Sequence, residues 1–164
     1  MSLPRTLSRD DIASRIPHQG DMCLLDGVTA WDDRQIQCLA SSHLLDANPL
    51  RAQGRLGAAC GVEYAAQAMA VHGALVGESM AGAVDAGMAP RAGYLASIRG
   101  VTLHVDRLDT VAAPLLISAE RITGDDNTVL YSFSVTAAGK PLLSGRAVVV
   151  LDASALAMPA GTPA

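Results

Sequence analysis

The chain has 164 residues and a mass of 16.9 kDa, and folding one domain of this size removes roughly 70% of the surface that the unfolded chain exposes. Half of the residues are hydrophobic, 17% are charged and the formal net charge is −4, which excludes a disordered chain and disfavours a basic nucleic-acid-binding protein. Only five residues are aromatic, too few for a platform on which bases stack. Small molecules, acyl chains or proteins are therefore the expected partners.

The cysteines and the N-terminus indicate a reducing compartment. Cys23, Cys38 and Cys60 are odd in number, widely spaced and set among apolar residues, which suits buried thiols better than disulfides or a metal site. The first eleven residues contain no continuous apolar block of the kind that secretory signals carry. We therefore expect a cytoplasmic protein without a metal.

The first predicted elements are a short helix and a β-hairpin. Ser8 and Asp11 have the spacing of a capping box, which predicts a helix over 9–15. Alternating apolar residues predict strands over 22–31 and 35–42, joined by a short polar turn.

An irregular stretch and an apolar helix come next. Residues 42–60 lack a regular pattern, and loops of this length in compact domains often carry a functional site. Residues 60–76 are apolar and rich in alanine, but three polar residues that would be costly in lipid interrupt them: Glu63, Gln67 and His72. The pattern predicts a slim helix buried in protein rather than a membrane span.

The remainder of the chain is dominated by predicted strands. After a loop rich in glycine and alanine over 77–91, four candidates follow at 93–105, 114–122, 128–136 and 142–151. Their short turns imply antiparallel pairing, so the chain is predicted to be an α+β domain over 1–152 with a disordered tail over 153–164. An exposed sheet edge would be covered by pairing with another subunit, which predicts a dimer.

Two motifs carry a family resemblance. Residues 16–18 read Ile-Pro-His and precede an apolar run that ends at Asp26, and residues 61–70 read Gly-Val-Glu-Tyr-Ala-Ala-Gln-Ala-Met-Ala. In this order they resemble hot-dog-fold 3-hydroxyacyl-acyl carrier protein (ACP) dehydratases over about residues 16–151, and most closely the subunit type of aryl-polyene pathways.

The resemblance has several implications. It implies an antiparallel sheet wrapped around one long central helix, a homodimer or a heterodimer with a second hot-dog subunit, and acyl carrier protein as a partner. It implies no cofactor, because the substrate is carried on the phosphopantetheine of acyl carrier protein.

One departure from the family pattern concerns the base. The family carries its catalytic histidine in a Gly-His-Phe-Pro-Gly loop just before the helix, whereas here Arg55 stands where the histidine would fall. Either another histidine of this chain substitutes, or a second chain completes the site.

Glu63 is the predicted catalytic acid. Removing water from a 3-hydroxyacyl thioester requires a base for the α-proton and an acid for the departing hydroxyl group. A carboxyl group in an apolar helix is partly desolvated, which favours its protonated form. The alternative is a carboxylate that only interacts with the helix dipole.

Three further residues are predicted to bind substrate, each with a purely structural alternative. Gly61 opens the helix, where free N–H groups could hold the thioester oxygen, or it serves helix packing. Gln67 lies one turn beyond Glu63 and either orients it or bonds to backbone. Arg55 either binds phosphate or an acidic carrier surface, or is a solvated loop charge.

The histidines receive lesser roles. His18 is interpreted as a hydrogen bonder that fixes its loop, and His43 as the in-chain base to test, although a surface histidine is the stronger expectation. His72 and His104 are interpreted as incidental.

Three functions follow for comparison. The first is a dehydratase subunit with Glu63 as acid, and the second is a non-catalytic partner that completes a sister subunit's site. The third is a hot-dog thioesterase in which Glu63 would activate water.

Overall fold

One sheet and one long helix make up most of the described chain. A computed structural model describes residues 6–81, 94–125 and 127–150, and within these ranges all strand pairs are antiparallel, in the order β1-β2-β3-β5-β6-β7-β4. The strands are β1 (Leu7–Ser8), β2 (Gly27–Trp31), β3 (Gln35–Ala40), β4 (Tyr94–Leu103), β5 (Leu115–Gly124), β6 (Thr128–Ala137) and β7 (Lys140–Val150). The predicted tail over 153–164 and most of the predicted loop over 77–91 lie outside the described residues, so the domain end at 152 stays a prediction.

Short-range polar contacts form the N-terminal elements as predicted. The capping box is present, with the Ser8 hydroxyl accepting from the Asp11 N–H and the Asp11 carboxylate accepting from the Ser8 N–H. Helix α1 covers Arg9–Ala13, two residues fewer than predicted. The Asp32 carboxylate accepts from the backbone N–H groups of Arg34 and Gln35, which closes the β2–β3 hairpin.

The predicted strand over 22–31 is half as long in the structure. Residues Gly20–Met22 form a 3₁₀ turn, and β2 begins at Gly27. The apolar residues between them belong to the core even though they are not in a strand, because Cys23, Leu24 and Leu25 are all buried.

Helix α2 (Gly61–Ala81) runs five residues past its predicted end and packs on β3, β5 and β6. Its alanines allow the sheet to approach closely, and most of its surface is buried. One strip stays half-buried, formed by Glu63, Ala66, Ala70 and Gly73. No helix in the described part of the chain is long and apolar enough to cross a bilayer.

Strand β4 forms one edge of the sheet and pairs only with β7 among the described strands. The opposite edge is β1, which has only two residues. Five large apolar residues are exposed along β4: Tyr94, Leu95, Ile98, Val101 and Leu103. A ten-residue edge with unpaired backbone groups and exposed apolar side chains is a ready surface for another strand.

Candidate active site

An acid and a histidine meet at the first turn of α2. Glu63 and His18 lie on different elements, and the Glu63 Oε1 atom is 3.2 Å from the His18 Nε2 atom. Both side chains are partly accessible, with exposed fractions of 35% and 29%. The Nδ1 atom of His18 is buried and has no hydrogen-bond partner among the described residues. The contact joins an imidazole ring to a carboxyl group that lies on the half-buried strip of α2.

Residue His18 was interpreted from the sequence as a residue that fixes its loop. The structure places the His18 ring against Glu63 on α2, and such a contact also fits a residue that fixes its loop, so the interpretation stays a prediction. The sequence feature that drew attention to His18 was the Pro-His pair in front of the first apolar run. It gave no indication of which residue the ring would meet, 45 positions further on.

Gln67 holds the His18-bearing segment against α2. Its side chain is fully buried, its Oε1 atom accepts from the Leu24 N–H at 2.9 Å, and its Nε2 atom donates to the Met22 carbonyl at 2.7 Å. The structure thus uses both ends of the amide for backbone, which was the structural alternative considered for this residue. Because Gln67 lies one helical turn from Glu63, these two bonds fix the chain that leads from His18 beside the acid.

The long loop before α2 is fixed by a second buried network. The Tyr64 hydroxyl is 2.8 Å from the Ser42 Oγ atom and accepts from the Asn48 amide at 3.0 Å. The Asn48 amide also donates to the Ser42 carbonyl, and the Ser42 hydroxyl donates to the Leu24 carbonyl at 2.7 Å. All three polar side chains are buried, so the loop, the first turn of α2 and the segment after His18 form one connected unit. None of these three was singled out in the sequence, where their types are common in ordinary loops.

A carboxylate anchors the far side of the same loop. Asp109 accepts from the Leu56 N–H at 3.1 Å and from Arg107, and Arg51 lies 3.8 Å away. The hydrogen bond from the Arg107 guanidinium holds the pKa of the Asp109 carboxyl group well below its usual range. These contacts hold the loop in place, although Arg55 stands where the family carries its histidine.

Gly61 is needed for packing. A Cβ atom at this position would overlap the side chain of Leu143 on β7. The Gly61 N–H already donates to the carbonyl groups of Ala58 and Ala59 in the preceding 3₁₀ turn. The N–H group of Gly61 itself is therefore not a free donor, and the role predicted for the N–H groups of the first helical turn stays a prediction.

The structure brings neither Arg55 nor His43 to the acid. Arg55 is exposed at the end of a tight turn, where its N–H and carbonyl groups pair with the backbone of Ala52. His43 was expected at the surface, and this is wrong: the residue is fully buried, and its Nε2 atom lies 2.9 Å from the Val111 carbonyl. Among the described residues, His18 is the histidine in contact with Glu63.

The described ranges contain no cluster of histidine, cysteine, aspartate and glutamate side chains suited to a metal ion. The groups that the structure places at the first turn of α2 are a carboxyl group and an imidazole ring, both of which can transfer protons.

Comparison with known families identifies the class of enzyme. A family model described as ApeP dehydratase matches residues 10–158. The chain belongs to the ApeP-like dehydratase family. This result confirms the resemblance drawn from the two sequence motifs, and it makes the protein a dehydratase, a hydro-lyase of the aryl-polyene type. No curated protein sequence matches this ApeP-like chain.

Solved structures confirm the fold of the ApeP-like chain. A chain of the dehydratase heterocomplex ApeI:P from Xenorhabdus doucetiae has a TM-score of 0.73 and 21% identity, covering 93% of both chains. A hypothetical thioesterase with coenzyme A from Streptococcus pneumoniae has a TM-score of 0.54 and 11% identity, covering 76% of this chain and 84% of the other. An uncharacterized protein from Pyrococcus horikoshii has a TM-score of 0.57 and 14% identity, covering 92% and 95%. At these identities the likeness shows the fold alone, which is the predicted hot-dog fold.

Proposed function

We propose that this chain is a catalytic subunit that removes water from 3-hydroxyacyl thioesters carried on acyl carrier protein, in the synthesis of a polyene chain. His18 and Glu63 are the two proton-transfer groups of the reaction. The observation that carries the proposal is the 3.2 Å contact between them on the accessible strip of α2, in a chain of a dehydratase family.

The contact gives each group one task. The Nε2 atom of the neutral His18 ring removes the α-proton, because the Nδ1 atom is buried. The protonated Glu63 carboxyl group donates a proton to the β-hydroxyl group, which leaves as water. The products are an enoyl thioester, an imidazolium ion and a carboxylate. The imidazolium proton then passes to the carboxylate across the direct contact, which restores the starting state without an external acid or base.

A second hot-dog subunit completes the particle in this proposal. In the described part of the chain a half-buried strip of α2 lies beside Glu63. A surface cavity of about 700 Å³ lies elsewhere, lined by residues of β4, β6 and β7. Strand β4 supplies the free edge for pairing, so the partner subunit would provide the remaining walls of the substrate cleft. The heterocomplex of the related Xenorhabdus protein supports this arrangement.

The direct test is an assay of the purified chain, alone and mixed with a hot-dog subunit that carries the Gly-His-Phe-Pro-Gly loop. Formation of the enoyl thioester and release of free thiol are followed separately on 3-hydroxyacyl-ACP. In the mixture we expect formation of the enoyl thioester without release of free thiol. We expect His18→Gln to abolish the formation of the enoyl thioester. His104→Gln is the matched control, because His104 is an exposed histidine elsewhere in the chain.

Each alternative has its own signature. Thiol release that depends on Glu63 would identify a thioesterase. Full turnover of a mixture containing His18→Gln would show that the partner supplies the base, and unchanged turnover with both His18 and Glu63 replaced would identify a non-catalytic partner.

A further inference from the structure

Two arginines lie side by side at the free edge of the sheet. Arg99 in the middle of β4 is directly opposite Arg146 on β7 in the strand register, and both are exposed. Directly opposite residues of an antiparallel pair share one face, with Cβ atoms about 4.5–5.5 Å apart, and like charges in this position are destabilising. The sheet therefore keeps two positive charges together at its edge.

These arginines project from the face opposite α2. Ser132 on β6 is opposite Arg146, and its neighbour Tyr131 points the other way, because its hydroxyl contacts His72 of α2 at 2.7 Å. Arg99 and Arg146 line the cavity of about 700 Å³ together with three serines: Ser97, Ser132 and Ser144. We call this surface the arginine cup.

No carboxylate of the described chain neutralises the arginine cup. None of the salt bridges in the described ranges involves Arg99 or Arg146. The nearest acid in the same row of the sheet is Glu120 on β5, opposite Ser132, which places it two strands, or about 10 Å, from Arg146. The positive charge at the edge is thus free to act on whatever pairs with β4.

Pairing of β4 with a second copy of itself would bring these charges together. A two-fold axis perpendicular to the sheet keeps the same face of both copies on one side. If this axis passes beside Ile98, Arg99 or Gly100, in the middle of the strand, the two Arg99 residues are directly opposite or diagonal, about 5–8 Å apart. Arg146 of each copy lies immediately behind, so four guanidinium groups would share one surface.

We infer that the arginine cup selects the partner of β4 by charge: the partner is a second hot-dog subunit whose edge strand carries aspartate or glutamate on the face of Arg99, and self-pairing is disfavoured. The inference rests on the proposed assembly through β4. It explains how this assembly would distinguish a second type of subunit from another copy of the same chain. Charge-assisted pairs between guanidinium and carboxylate groups stabilise the mixed pair, and like-charge repulsion weakens the homodimer.

The inference can be tested with variants of this chain alone, by sedimentation velocity. The double variant Arg99→Glu, Arg146→Glu presents a negative edge to the positive edge of the wild type. We expect an equimolar mixture of the two proteins to associate at least ten-fold more tightly than the wild type alone. Raising NaCl from low to high concentration should weaken the mixed pair and strengthen wild-type self-association, because salt screens both interactions.

Two further variants serve as controls. Arg34→Glu combined with Arg121→Glu changes the net charge equally, but Arg34 lies in the β2–β3 turn and Arg121 on β5, three strands from β4. This variant should not bind the wild type more tightly than the wild type binds itself. Arg99→Ser combined with Arg146→Ser removes the repulsion without adding negative charge. This variant should self-associate more tightly than the wild type, and it tests the inference even if the double glutamate variant does not fold.

Two results would overturn the inference: a wild-type homodimer as tight as the mixture, or equal binding by the control variant. Neither result concerns turnover, so the dehydratase assignment would stand. Conversely, a failed dehydration assay would leave these association constants unchanged.

Discussion

Two parts of α2 involve a histidine: its first turn, which is the accessible end that His18 contacts, and its buried middle, which contains His72. The comparison distinguishes a group that is available for chemistry from one that supports the fold. At the first turn, His18 meets Glu63 with both side chains about one third exposed, and one ring nitrogen lacks a partner in the described chain. Nine residues beyond Glu63, His72 is fully buried and both of its ring nitrogens are hydrogen-bonded. A ring with all its bonds made inside the core supports the fold, whereas an accessible ring beside a carboxyl group remains available to substrate.

The protonation state of His72 follows from its partners. The Asp32 carbonyl, 2.7 Å from the Nε2 atom, can only accept, so this nitrogen carries the proton. The Nδ1 atom of the neutral ring then accepts from the Tyr131 hydroxyl. Burial lowers the pKa of His72 and raises the pKa of Tyr131 to about 12, so both groups are neutral near pH 7.

The largest expected effect is at the accessible end. Glu63→Gln keeps the size of the side chain but removes the proton that the departing hydroxyl group needs, so we expect dehydration to fall by about 10²- to 10⁴-fold. The rate of enoyl formation measures this loss. Glu78→Gln is the matched control, because Glu78 is an exposed carboxylate on the same helix that pairs with Arg15. A folded Glu63→Gln protein with undiminished turnover would reduce Glu63 to a helix-end carboxylate.

The second prediction concerns the residue that joins the accessible end to the core. Gln67→Leu leaves the Leu24 N–H and the Met22 carbonyl without their partner, and we expect a loss of about 2–5 kcal/mol in the free energy of unfolding. Urea denaturation measures it. Turnover of the protein that remains folded should also fall, since the segment after His18 is no longer fixed. An unchanged midpoint would show that water replaces the amide without cost.

A smaller loss of stability is expected at the buried middle of α2. His72→Phe fills a similar volume but leaves the Tyr131 hydroxyl without its acceptor, while the Asp32 carbonyl sits at a surface turn where water can reach it. We expect a loss of about 1–3 kcal/mol in the free energy of unfolding and no change in the chemical step. Tyr131→Phe should cost a similar amount, and the double variant should cost less than the sum, because the two residues share one bond. Fully additive losses would contradict the shared bond.

The smallest effect is a dependence of stability on pH. The pKa of His72 is lowered in the folded protein from 6.5, so the unfolded chain takes up the proton first as the pH falls. The contribution of this residue is therefore complete above about pH 6.5 and is lost on acidification, by at most about 1.4 kcal/mol per pH unit. The difference between wild type and His72→Phe, measured by denaturation from pH 7.5 to 5.5, isolates the contribution. A constant difference across this range would exclude it.

The sequence was sufficient where local pattern decides structure. The capping box of Ser8 and Asp11, the alternating strands and the alanine-rich helix depend on residues close together in the chain, and each appears in the structure. Glu63 could be singled out by the same reasoning, because a glutamate in an apolar helix is conspicuous, and its role as the acid stays a prediction.

The remaining features depend on tertiary contacts that local patterns do not record. His18 becomes a partner of Glu63 only because Gln67 and Ser42 fix the segment between them, and His43 is buried only because Val111 comes from a distant part of the chain. The continuation of α2 to Ala81 was missed for a different reason: it begins with Gly77, which the sequence pattern placed in the following loop.

The central claim is that His18 and Glu63 act as one catalytic unit, and a double-mutant cycle on dehydration tests it most directly. The value of kcat/KM for 3-hydroxyacyl-ACP is measured for wild type, His18→Gln, Glu63→Gln and the double variant in the assembled enzyme. Groups that act as a unit have strongly non-additive losses, so the double variant should be no more than a few-fold slower than the slower single variant. Losses that multiply, or a His18→Gln protein with wild-type turnover, would contradict the account.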